Sequence, residues 1–89
     1  MVRMFVRHDV REYEVWRRVY DAFAAKQKEH GVRAEAVYQS VEDPNDVTVT
    51  NDSDDIATAR AFLESSEVRD AIQDAGVIGD PQVWFTTER

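Results

Sequence analysis

The sequence predicts an α+β fold in the order β-α-β-β-α-β, and three observations carry that reading. Residues alternate with period two, apolar against polar, in segments near 2–8, 32–41, 47–51 and 82–87. Two longer segments, about 10–30 and 54–75, repeat with helical spacing instead. All three glycines and both prolines fall between these segments.

In the first strand, Val2, Met4, Val6 and His8 share one face, and Arg3, Phe5 and Arg7 share the other. Asp9 with Glu12 three residues later forms a capping-box-like start for the first helix. That helix runs from about residue 10 to His30. Tyr13, Trp16, Tyr20, Phe23 and Gln27 make an aromatic-rich stripe along it, and Gly31 stops it. The second strand sets Ala34, Ala36, Tyr38 and Ser40 against Arg33, Glu35, Val37, Gln39 and Val41.

Glu42-Asp43-Pro44-Asn45-Asp46 reads as a turn, and Val47 to Asn51 as a β-branched strand that closes a hairpin. Asp52 or Ser53 is expected to cap the second helix, with Asp54 and Asp55 in its first turn. Ile56, Ala59 and Leu63 form its buried stripe, and Ser65-Ser66 breaks or bends it. Val68, Ala71, Ile72 and Ala75 continue the helical pattern to Gly76. Gly79 and Pro81 form a tight connection, and Gln82 to Thr87 is the last strand.

This order is the ferredoxin-like, split β-α-β pattern. Right-handed crossovers place the helices on one face of a four-stranded antiparallel sheet. The opposite face has no cover within the chain, yet several strands carry apolar side chains on both faces: Phe5 opposite Met4 and Val6, and Trp84 opposite Phe85. A small sheet with two apolar faces buries the second against something. A second copy, sheet to sheet, is the simplest cover, so a homodimer is expected.

Eighty-nine residues suffice for one domain, 1–89, around one core. Cysteine is absent, which excludes disulfides and thiol chemistry. The formal net charge is −7, and all of the excess lies in residues 46–89, which hold three basic and ten acidic side chains. Such a distribution argues against nucleic acid and anionic membrane as partners. No apolar run is long enough to span a bilayer, and no secretory leader is visible, so the expected location is cytoplasmic.

His8, Tyr13-x-x-Trp16, Asp43-Pro44-Asn45, Ala61-Phe62 with Ser65, and Ala75-Gly76-Val77-x-Gly79-x-Pro81 together resemble the dimeric α/β-barrel superfamily. The chain looks like a small cyclase-like or uncharacterised branch of that superfamily, which includes the antibiotic-biosynthesis monooxygenase-like proteins. The resemblance spans residues 2 to about 87. It implies that two sheets pack into an α/β barrel, with a ligand cleft between helices and sheet in each protomer. It implies no fixed catalytic set.

His8 is the candidate catalytic residue. On the helix side of its strand, its imidazole would reach the cleft and serve as acid or base. A strand-end histidine bonded to a nearby loop is the plainer reading. Trp16, Tyr20 and Phe23, with Trp84 and Phe85, could wall a pocket for a flat aromatic ligand, or simply form core and interface. His30, at a helix C-terminus, reads as a cap; about 30 Å of helix separates it from His8. Asp52-x-Asp54-Asp55 lacks the glycine and glutamate of a calcium loop. No metal site, cofactor motif or phosphate loop is expected. Two functions stay open. One is a cofactor-independent monooxygenase- or cyclase-like enzyme for a small, aromatic molecule. The other is a non-catalytic dimeric ligand-binding or structural module.

Overall fold

A computed structural model describes residues 1–89. β1 (Val2–Val10) is followed by α1 (Tyr13–Ala22), α2 (Ala24–Glu29), β2 (Ala34–Gln39) and β3 (Asp46–Ser53). α3 (Ile56–Glu64), α4 (Ser66–Asp74) and β4 (Val77–Thr86) complete the order. The strands form one antiparallel sheet, β2-β3-β1-β4, with the helices on one face. This is the expected ferredoxin-like α+β arrangement, with each helical arm divided in two.

Pairing sets the faces. Met4 lies opposite Asn51, Val6 opposite Val49, and His8 opposite Val47. On the other side of β1, Met4 meets Phe85 and Val6 meets Val83. Residues directly across an antiparallel pair share a face. Met4, Val6, His8, Val10, Val47, Val49 and Asn51 are all buried, so this face meets the helices.

Several local expectations are corrected. The segment 10–30 is not one helix, because β1 continues to Val10 and helix α1 ends at Ala22. The Phe23 N–H is shared between the Val19 and Tyr20 carbonyls at 3.1 Å each, a local tightening of the helix before α2. Asp9 lies in the strand and caps nothing. Glu12 occupies the N-cap position of α1 without a side-chain bond. The cap comes instead from the hairpin turn, where Asn45 Oδ1 accepts from the Tyr13 N–H at 3.1 Å.

Asp52 and Ser53 belong to β3, and Asp55 caps α3 by accepting from the Thr58 N–H at 2.8 Å. That bond holds the Asp55 carboxyl below its ordinary range. Ser65, with extended backbone, separates α3 from α4 as expected. β4 begins at Val77 rather than Gln82, so Gly79 and Pro81 lie inside a strand. Gly79 has φ +71°, and the β1–β4 register shifts between Arg7 and Asp9. The irregularity behaves as a bulge, and an edge strand tolerates the proline's missing N–H. Gly31 has φ +86°, and a Cβ there would meet Thr58 Cγ2 at 2.8 Å.

Sixteen residues are buried. Ten of the eleven apolar ones, all but Ala59, form two clusters rather than one. Met4, Val6, Val32, Phe62 and Val68 make the first; Val10, Trp16, Val47, Val49 and Ala75 make the second. The sheet's other face carries no helix. Phe5 and Trp84 stack there with centroids 5.2 Å apart, and Trp84 is 42% exposed. Arg3 and Arg7 flank them in two-pronged pairs with Asp52 and Asp46. No helix is long and apolar enough to cross a membrane.

Candidate functional site

Between the two core clusters lies a cavity of about 90 Å³. β1 and β3 form its floor with Met4, Val6, His8, Val49 and Asn51. Trp16, Val19, Tyr20, Phe23 and Gln27 close one side, and residues of α3 and α4 close the other. The aromatic wall follows from helical spacing: Trp16 and Tyr20 are one turn apart and stack at 4.9 Å. His8 meets the edge of Trp16 at 5.6 Å. Phe23 tilts against Phe62 at 6.4 Å.

The polar atoms here are unusual. Both ring nitrogens of His8, Gln27 Oε1 and Asn51 Oδ1 are buried without a hydrogen-bond partner. All three side chains line this one cavity. A buried polar atom left unpaired costs about 1–3 kcal/mol, and native proteins keep few of them. Three such side chains around one void are the arrangement that a bound molecule with matching groups would satisfy.

Burial holds the His8 imidazole below its ordinary range, which Asp9 only partly opposes. The ring is therefore neutral near pH 7, with one nitrogen to donate and one to accept. Tyr20 lines the cavity with its ring and donates its hydroxyl to Glu35 on β2. Burial, and then that bond, push the phenol above its ordinary range, so it is not an acid at neutral pH. No group of three or more histidine or carboxylate side chains is placed to hold a metal ion.

The structure brings His8, Trp16, Tyr20 and Phe23 to one site, as the strand and helix periodicities required. It does not bring Trp84 there. Trp84 pairs with Phe5 on the open face, because one step along β4 exchanges faces. Phe85 faces the helices but packs on the first core cluster, under the Arg60 guanidinium. His30 meets the edge of Phe62 and lies 3.7 Å from Glu67, outside the cavity. Asn51 and Gln27 were not singled out as site residues. Asn51 could have been found from its register with Val47 and Val49, and Gln27 from the first helical stripe.

The chain matches no family model, and it matches no curated protein in sequence. Solved structures are similar in fold. SnoaB from Streptomyces nogalater, a cofactor-independent oxygenase, superposes with a TM-score of 0.82 at 15% identity, over 99% of this chain and 92% of its own. An antibiotic biosynthesis monooxygenase superposes at 0.79 and 12% identity, over 100% and 99%. The chain has the antibiotic biosynthesis monooxygenase-like fold. A conserved protein from Methanosarcina mazei Go1 has it as well, at a TM-score of 0.79 and 12% identity, over 99% and 92%. Identities this low establish the shared monooxygenase-like fold and leave the chemistry to this chain's own residues.

Proposed function

We propose that the protein is a cofactor-independent monooxygenase- or cyclase-like enzyme for a small aromatic molecule, working in the cytosol as a homodimer. The observation that carries this reading is the convergence of the unpaired ring nitrogens of His8 and the unpaired amide oxygens of Gln27 and Asn51 on one aromatic-walled cavity. Neutral His8 is the acid/base: it takes a proton from a substrate hydroxyl and later returns one. Trp16, Tyr20 and Phe23 hold the ring. In an oxygenase reaction the substrate anion supplies the electrons to dioxygen, one oxygen atom entering the product and the other leaving as water. SnoaB, a cofactor-independent oxygenase, shares the fold.

The homodimer rests on the open face. Exposed Trp84 and half-buried Phe5 form its apolar centre, with the Arg3–Asp52 and Arg7–Asp46 pairs beside them. Trp84 belongs to this reading of an interface rather than to the ligand. A second function stays open, a ligand-binding module without catalysis, and one observation favours it: His8 and Tyr20 are the only titratable side chains in the cavity.

Native mass spectrometry of the protein purified from its own host tests both points. A dimer that releases a discrete small mass on denaturation is expected. Oxygen uptake is then measured with the released molecule. Loss of turnover in His8→Phe supports the enzyme, whereas unchanged turnover removes His8 from the mechanism. Binding without turnover in the unmodified protein leaves the module.

A further inference from the structure

The cavity's chemistry also restricts what it can hold; this step rests on reading the cavity as a binding site. We infer that its ligand is an uncharged, single-ring compound with hydrogen-bonding hydroxyl or amine groups at opposite ends of the ring.

Charge comes first. No Arg, Lys, Asp or Glu lines the cavity; its polar groups are an imidazole, two amides, a phenol and the indole N–H of Trp16. Of the charges beside the lining residues, Glu35 accepts the Tyr20 hydroxyl, Arg17 pairs with Asp21, and Asp9, next to His8 in β1, is itself an anion. A charged ligand group would therefore be buried with no counter-ion.

Polarity comes second. Asn51 Oδ1 and Gln27 Oε1 are acceptors, so the ligand must donate at that end. His8 lies at the other end. Asn51 pairs with Met4, four residues along β1 from His8, or about 13 Å of strand. That span fits a ring with a group on each side, each making one hydrogen bond.

Size comes third. The cavity of about 90 Å³ is smaller than the roughly 150 Å³ void that accepts benzene in an engineered core. One ring can enter with modest side-chain movement. A second fused ring exceeds that volume further.

Isothermal titration of the full-length protein at pH 7.5 or so, against four probes, tests this. The probes are para-hydroxybenzyl alcohol, para-hydroxybenzoate, para-xylene and a hydroxymethyl-naphthol. The alcohol is expected to bind at least about tenfold more tightly than each of the others. Asn51→Leu should erase its advantage over xylene. Equal or tighter binding of the benzoate overturns the charge restriction and leaves the cavity as a binding site. Equal binding of xylene overturns the requirement for donors, and tighter binding of the naphthol overturns the size limit. Binding of none of the four overturns this inference and the proposed function together.

Discussion

The helix-covered face of the sheet and its open face differ in what they leave unsatisfied. On the covered face, His8, Gln27 and Asn51 are buried with polar atoms that have no partner. On the open face the charges are paired, Arg3 with Asp52 and Arg7 with Asp46, and aromatic surface is left in solvent. The partners hold both aspartates below the ordinary carboxylate range. Unpaired buried polar atoms call for a small molecule with matching groups. Exposed, stacked aromatics framed by paired charges call for a second macromolecular surface. One four-stranded sheet thus carries two differently unsatisfied faces, and strand alternation keeps them apart.

The largest effect is expected at the open face. Trp84→Asp should turn the proposed dimer into a monomer, with a loss of about 2–4 kcal/mol in association, read by sedimentation velocity. A wild-type protein that sediments as a monomer at tens of micromolar would remove the interface reading altogether.

The next effect has the unusual sign. Asn51→Leu removes an unpaired acceptor and adds apolar contact, so it should stabilise the ligand-free fold by about 1–3 kcal/mol while weakening ligand binding. That corresponds to several degrees in Tm for a domain of this size. A fall in Tm would mean that Asn51 is part of the structural hydrogen bonding after all. Asn45 supplies the control. Its side chain caps α1, so Asn45→Ala should cost about 1 kcal/mol. The two asparagines should therefore move Tm in opposite directions.

The smallest effect is the dependence on pH. His8 has a lowered folded-state value, so the unfolded chain binds its proton more readily. Its contribution is fully present above the unfolded value near 6.5 and is lost as pH falls from there toward the folded one. Denaturant titrations between pH 7.5 and 5 should show this slope, and His8→Phe should flatten it. The Asp46 and Asp52 contributions are present above their unfolded values and are lost only at more acid pH, as pH falls through the depressed folded ones.

Much of this was legible in sequence. Period-two alternation in β1 put His8 on the same face as Met4 and Val6, and helical spacing aligned Trp16, Tyr20 and Phe23. Gly31, Gly76 and the Ser65 break bounded the helices, because left-handed or extended backbone at those positions ends a helix locally. These properties depend on neighbours within a turn or a strand. Tertiary structure decided the rest. Asn45 caps a helix that begins 32 residues earlier in the chain, which no local motif encodes. β4 runs through Gly79 and Pro81 because it is an edge strand, a fact of strand order rather than of composition. Asn51 and Gln27 line one cavity only because β3 and α2 are brought together there. Whether a polar atom lacks a partner depends on everything that packs around it, and that is set by contacts between residues far apart in the chain.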